Sequence, residues 1–411
     1  MEMAPDGPLR RLDMARARLL DLTRSLRRAD RRATGVDRVE TAYLKQFLKD
    51  DPPCYGLVRT PLGYLLLDRT GLAAFLDRLQ AAVPWGKSTL LSRLGKGRSP
   101  IIQQAESDLR RHAIARASRG RLPAILAQHL AGGFDYFNVG HSNLTTRVFA
   151  AVKQSGGQTH VLIHDVIPLT HPQFQRPGTV ESFRAKVQRV STHADRVIYN
   201  SKDSQQNAEK ILAKMGRVPP SIVAHLGTIT PQASKADLPN GLSLTEPYFV
   251  TVGTIEPRKN HAFLLDIWDH MGAEAPRLLI CGTRGWNNDA VFDRLDRLHP
   301  DSPIIELPDL NDATIFELVK NSAGLLFPSH VEGFGLPPLE ALTLGARVLC
   351  NDLLVLREFL HDKPVYAAAS DRNLWISTIK SWAMLPPSVQ NSTTFTGPTW
   401  ADHFKVVLRL T

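Results

Sequence analysis

The chain has 411 residues, 43% of them hydrophobic and 22% charged, with a formal net charge of +10. That length exceeds one ordinary core and sets two domains as the expectation, and the composition excludes a disordered or fibrous chain. No run reaches the ~18 apolar residues a spanning helix needs, and the start, MEMAPDGPLRRLDMARARLL, lacks a secretory signal's apolar core, so a cytoplasmic protein is expected.

In chain order, RLLDLT (18–23) reads as a strand, followed by a basic loop and a helical stretch over 36–48. The segment AAVPWGKSTLLSRLGKGRSP (81–100) contains GKST, but a phosphate-binding P-loop needs glycine where Ala81 stands and a preceding buried strand. Its cations Lys87, Arg93, Lys96 and Arg98 interleave with Trp85, Leu90, Leu91 and Leu94. That composition suits a lipid headgroup layer, and equally a disordered basic surface loop. Further strands read over 159–166 and 195–201, with helical patterns from Glu181 to His193 and from Lys202 to Met215.

After a Pro/Ser/Gly-rich boundary at 230–247, the alternation is cleaner. Strands read at 248–254, 277–283, 303–310, 323–329 and 347–351, and helices at 261–271, 291–298, 313–321 and 339–345. Uninterrupted apolar strands joined by helices imply parallel sheets buried on both faces. The expected class is therefore α/β, two doubly wound units, spanning 1–240 and 241–395, with a closing helix at 396–411. The charge divides along the same line. Residues 1–240 carry 36 Lys and Arg against 20 Asp and Glu, a net +16, and residues 241–411 carry 14 against 20, a net −6. A basic half of that size suits an anionic partner: a nucleic acid, a bilayer surface or a pyrophosphate-linked lipid. Cys54, Cys281 and Cys350 are scattered without metal-ligand spacing, which fits a reducing compartment.

Two segments of the second half lie where such a sheet places its ligand, at the carboxyl ends of strands. Ile255-Glu256-Pro257-Arg258-Lys259-Asn260 sets two cations before a helix, a suitable diphosphate clamp. Ser329 to Glu340 reads SHVEGFGLPPLE. Its glycines allow close backbone approach, its prolines pre-set a first helical turn containing Glu340, and Gly345 is placed to end the helix. Glu332 and Glu340 would flank one ligand, and carboxylates accept hydrogen bonds from sugar and ribose hydroxyls. Glu340 also suits a helix dipole, whereas Glu332, in a glycine-rich loop, has no comparable structural role.

The pair Glu332 and Glu340 resembles the E-x7-E pattern of retaining GT-B glycosyltransferases of family 4 (glycosyl transferases group 1), in wording close to mannosyltransferase-like members. VGTIEPRKNH (252–261) resembles that family's diphosphate segment, RATGVDR (32–38) its first-domain glycine loop, His164-Asp165-Val166-Ile167-Pro168 its His-Asp segment, and TGPTWADHFKVV (396–407) its closing helix, which crosses back to the first domain. These matches run from residue 32 to 407.

The resemblance implies that Arg258, Lys259 and the Gly35 amide bind the donor diphosphate, that Glu340 holds the ribose, and that Glu332, Phe334 and Gly335 hold the sugar. His164 and Glu332 would be the catalytic residues. It also implies metal independence, a hexose moved from a nucleoside-diphosphate sugar (GDP-mannose first, UDP-hexose second), and a glycan or lipid-linked acceptor in bacterial surface polysaccharide assembly such as lipopolysaccharide or capsule. The enzyme would be cytoplasmic, either free or peripheral on the inner face of the plasma membrane. One departure is RVLCNDLLVLREFL (347–360), where Leu353, Leu354 and Val355 replace the family's small and hydroxyl residues. A GT-B epimerase shares the architecture but not the paired-glutamate wording. A nucleic-acid-binding protein would need aromatics among its cations, and aromatics are 7%.

Overall fold

The computed structural model describes residues 16–93, 97–228, 244–385 and 395–410, and between 228 and 244 residues 233, 234, 238, 239 and 242. Leu94 and Lys96, the start of the chain through residue 15, and half of the 230–247 boundary stretch lie outside them. The first strands are β1 (Ala17–Asp21), β2 (Cys54–Thr60), β3 (Gly63–Leu67), β4 (Ala113–Ala117), β5 (Phe134–Asn138), β6 (Gly157–Ile163), β7 (Arg196–Tyr199) and β8 (Ser221–Val223). They form one sheet in the order β4-β3-β2-β1-β5-β6-β7-β8. β1 pairs in parallel with β2 and β5, while β2-β3 and β3-β4 are antiparallel.

The remaining strands are β9 (Tyr248–Val252), β10 (Arg277–Cys281), β11 (Ile304–Leu307), β12 (Gly324–Phe327), β13 (Val348–Cys350) and β14 (Val365–Tyr366). They form a second sheet in the order β11-β10-β9-β12-β13-β14, parallel throughout. The order reverses between β9 and β12, and an open parallel sheet forms its ligand crevice at the carboxyl ends of the two strands flanking such a reversal. The expectation of two doubly wound sheets holds, with an antiparallel edge on the first. That edge was not anticipated. The strands CYGLVRT and GYLLL are buried on nearly every residue, so they show no alternation to mark a hairpin.

Apolar burial holds each sheet. Leu19, Tyr64, Leu126, Phe134 and Tyr136 belong to one core cluster, and Phe249, Trp268, Leu278, Leu326 and Trp375 to another. By compactness the chain divides differently from its sheets. One unit closes at Val161 and takes in His193–Arg196 and the end of the chain from Leu408; the other comprises Leu162–Thr192 and Val197–Val407.

The GKST segment is no phosphate cradle. The Gly86 amide donates to Asp108 Oδ2 (2.7 Å) and the Thr89 amide to Ser107 Oγ (2.9 Å), which ties the segment to the helix Pro100–His112. Trp85 packs on Phe75, and Arg98 pairs with Glu106. Leu90 nevertheless stands 80% exposed. The last helix, Trp400–Val407, lies against the segment leaving β8, with His403 Nδ1 3.1 Å from the carbonyl oxygens of Ala224 and His225.

Candidate active site

Two loops of the second unit meet at the β9/β12 reversal. After β9 the chain makes a 3-10 turn, Pro257–Lys259, then Asn260 adopts the left-handed conformation (φ 57°) and caps the helix His261–Met271. Asn260 Nδ2 donates to the Pro328 carbonyl at 3.3 Å, and the His330 amide donates to the Arg258 carbonyl at 2.8 Å. These bonds hold the post-β9 turn against the loop that follows β12.

The side chains then converge. Glu332 accepts from Arg258 Nη1 through Oε2 (2.6 Å) and from Lys259 Nζ through Oε1 (2.5 Å). Arg258 Nε also pairs with Glu256 at 2.5 Å, and Lys259 Nζ lies 4.7 Å from the centre of the Phe327 ring. Burial alone would raise the Glu332 pKa, but Arg258 and Lys259 outweigh it and bring the carboxyl to about 2. Burial also lowers the Lys259 pKa, against the pull of Glu332, while Glu332, Glu256 and Asp165 hold Arg258 firmly charged despite its burial. The site thus binds its own cations to its own acids, so an anion can reach those cations only by displacing Glu332.

The His-Asp segment reaches the same loop. A Cβ on Gly333 would lie 2.6 Å from the His164 carbonyl oxygen and 2.8 Å from Asp165 Cβ, so glycine is required there by close approach. Ser204 Oγ donates to the carbonyls of both His164 (3.2 Å) and Gly333 (2.9 Å), and Ser201 Oγ to Gly333 (3.3 Å). Asp165 takes the Ile167 amide at 3.0 Å, and burial raises its pKa against the attraction of Arg258. His164 itself is buried.

Phe334 stacks on Phe359 with ring centres 4.2 Å apart, so its ring is spent on packing and its backbone is what it offers a ligand. Gly335 has φ 112° and begins the helix Leu336–Thr343, where a Cβ would meet Leu356 Cδ2 at 2.4 Å. The helix starts at Leu336, not Leu339, so Glu340 falls in its second turn, buried, rather than in the first; compensation of the helix dipole does not explain it. Gly35 belongs to the other unit. It opens the helix Gly35–Lys49 behind a Thr34/Asp37 capping box, with Asp37 gripped by Arg24 (2.6 Å) and Arg28 (2.8 Å).

Four residues of the region went unread in the sequence: Glu256, Ser201, Ser204 and Glu358. Glu358 accepts from the amides of Lys202 (2.8 Å) and Asp203 (3.3 Å) and pairs with His225 Nε2 at 2.6 Å, tying the apolar 353–360 region to the helix Lys202–Lys214. Glu256 stood in the quoted cation segment and was readable; the partners of Glu358, more than 130 positions away, were not.

Residues 235–373 match the family model described as "Glycosyl transferases group 1". The chain carries a glycosyl transferases group 1 domain. This domain holds Glu256, Arg258, Lys259, Glu332 and Glu340, the acids and cations of both loops. The chain is similar to the serotype-specific mannosyltransferase WbdA of Escherichia coli, 28% identical over 268 residues, 59% of this chain and 33% of that protein. It is similar also to the O-antigen chain mannosyltransferase RfbU of Salmonella typhimurium, 24% identical over 60% of this chain and 66% of that one. The chain spans about a third of the length of the WbdA relatives it matches.

Among solved structures, Anabaena HepE in complex with UDP-glucose superposes with a TM-score of 0.60 at 12% identity, covering 96% of this chain and 98% of that one. Sucrose-phosphate synthase from Thermosynechococcus elongatus gives 0.59 at 13% identity, covering 96% and 98%. With the group 1 domain on the second sheet, these establish the fold as GT-B.

Proposed function

We propose that the protein is a retaining glycosyltransferase that moves a hexose from a nucleoside-diphosphate sugar to a glycan or lipid-linked acceptor in bacterial surface polysaccharide assembly. The observation that carries this reading is the Arg258-Lys259-Glu332 cluster at the strand-order reversal. Expelling a nucleoside diphosphate builds negative charge on the leaving oxygens, which a guanidinium and an ammonium stabilise directly. As the diphosphate takes the cations, Glu332 is released to accept hydrogen bonds from sugar hydroxyls. With two cations supplying the charge, the reaction is proposed to need no metal. Glu340 is assigned to the ribose, the Gly35 amide to the diphosphate, and His164 with the backbone of Phe334 and Gly335 to the sugar. Similarity to WbdA and RfbU favours mannose, from GDP-mannose. Retention follows from the resemblance of the paired glutamates to family 4.

A thermal-shift panel of GDP, GDP-mannose, UDP and UDP-glucose tests the donor. Ligand at a hundredfold excess over its Kd stabilises the fold by about 2.7 kcal/mol, a shift of several degrees. A panel in which no nucleotide sugar moves the melting temperature would end this reading.

No helix of the described residues is long and apolar enough to cross a membrane. We propose peripheral attachment at the inner face of the plasma membrane through the basic first half, where exposed Leu90 and Leu91 lie between Lys87 and Arg93. The protein is then expected to pellet with anionic but not neutral liposomes and to be released by salt. Equal partitioning between the two lipids would remove the membrane from the proposal.

A further inference from the structure

Glu256 is 2% exposed and precedes the 3-10 turn Pro257–Lys259, yet its side chain makes no capping hydrogen bond to that turn. Its Oε1 pairs with Arg258 Nε, and its Oε2 is buried without a partner among the described residues. A carboxyl withdrawn this far from water is costly unless its charge or geometry is used. Burial raises its pKa and Glu332 adds to the rise, while Arg258 and Lys259 oppose it. Glu332 grips the same guanidinium through another nitrogen, Nη1.

We propose that Glu256 is a positioning residue of the anion site, holding the Arg258 guanidinium in place through Nε when a diphosphate draws Glu332 away. This rests on the donor-diphosphate reading above. Arginine has a long side chain with much rotamer freedom, and a guanidinium held at one nitrogen by Glu256 keeps its aim when the bond to Glu332 is given up. Without Glu256 that ordering falls on the binding step and weakens it about tenfold. Glutamine keeps an acceptor oxygen at the same reach, alanine removes it, and aspartate draws it back by one methylene.

The experiment titrates inorganic pyrophosphate, GDP-mannose and UDP-glucose calorimetrically into the wild type, Glu256→Ala, Glu256→Gln and Glu256→Asp, with ligand-free melting temperatures measured in parallel. The alanine and aspartate variants are expected to bind pyrophosphate about tenfold more weakly at a melting temperature close to wild type, and glutamine to recover most of the loss. Wild-type affinity in the alanine variant, or glutamine as weak as aspartate, overturns the inference. Should the alanine variant not fold, the glutamine and aspartate pair decides by the same comparison. A wild type that binds pyrophosphate but neither nucleotide sugar overturns the donor reading alone, and the pyrophosphate ratios still judge Glu256. A wild type that binds none of the three overturns both.

Discussion

Glu332→Ala is expected to lower sugar transfer at least a hundredfold while raising the affinity for the bare nucleoside diphosphate relative to the nucleotide sugar. Two hydrogen bonds that the carboxylate accepts from sugar hydroxyls contribute about 1.5–3 kcal/mol each, which together reaches that loss. The gain for the diphosphate has a different source. In the unliganded protein Glu332 occupies both Arg258 Nη1 and Lys259 Nζ, so a diphosphate must displace it, and in the variant nothing has to be displaced.

The same change should lower the melting temperature of the free protein, because it strands the Lys259 ammonium and leaves Arg258 with Glu256 in place of two carboxylates. Added pyrophosphate should restore it. In the wild type the folded pKa of Glu332 is depressed from 4.5 to about 2. Its ion pairs therefore contribute stability above about pH 4.5, and that contribution is lost as pH falls toward 2. Turnover of a radiolabelled nucleotide sugar, with nucleotide titrations alongside, measures both arms. Wild-type turnover in the variant would remove Glu332 from the site.

Stability should also decline between about pH 5 and pH 8 through a residue remote in sequence from that cluster, and Glu40→Gln should remove the decline. Glu40 lies on the buried face of the helix Gly35–Lys49, fully enclosed, and accepts from the Ser25 amide at 3.0 Å and from the Ser25 hydroxyl through Oε1. Its Oε2 has no partner among the described residues. Burial is the main cause that lifts its pKa from 4.5 to about 8; the Ser25 bonds oppose the rise and Asp21 adds to it.

A raised folded pKa means the folded protein keeps a proton that the unfolded chain releases above about 4.5. The stabilisation is complete below that pH and is lost as pH climbs through about 8. The interval corresponds to about 5 kcal/mol at most. Glutamine keeps the acceptor for Ser25 and cannot ionise, though its amide meets the same unpartnered space and costs something at every pH. Urea midpoints at pH 5, 6.5 and 8 should therefore show the variant gaining on the wild type as pH rises. A constant difference across the three values would show that Glu40 does not carry the pH dependence.

Much of the second sheet was legible because its signals are local. The run YFVTVGT marked β9 (Tyr248–Val252), AGLLFPS marked β12 (Gly324–Phe327), and each was followed by a segment whose residue types suit a ligand loop. The first sheet was less legible. β5 reads FDYFN, with Asp135 buried against His160 and Arg16, and a buried carboxylate inside an apolar run hides the strand. The leucine-rich departure at 353–355 was readable, but not its structural counterpart. Val355, Leu356 and Phe359 bury against their own unit, Leu354 remains 75% exposed, and Glu358 carries the helix's long-range polar contact, to the Lys202 amide and His225.

Glycine roles divide in the same way. Gly335, with φ 112°, stands directly before a helix that opens Leu-Pro-Pro, a place visible in the sequence, whereas Gly333 is glycine because the backbone of His164 arrives from 169 positions earlier in the chain.

The sequence by itself determined the alternation of strands and helices, the two loops at strand ends, and the acids and cations placed on them. Each depends on residues within a turn or two of chain, where propensity, capping and apolar patterning act. The tertiary structure alone decided which charges meet. Glu332 stands 73 and 74 positions from Lys259 and Arg258, and the three come together because β9 lies beside β12, with β10 and β11 on its other side. Strand order is settled by how whole crossover units pack, so the pairing that makes Glu332 both counter-ion and candidate sugar ligand leaves no mark in the local pattern.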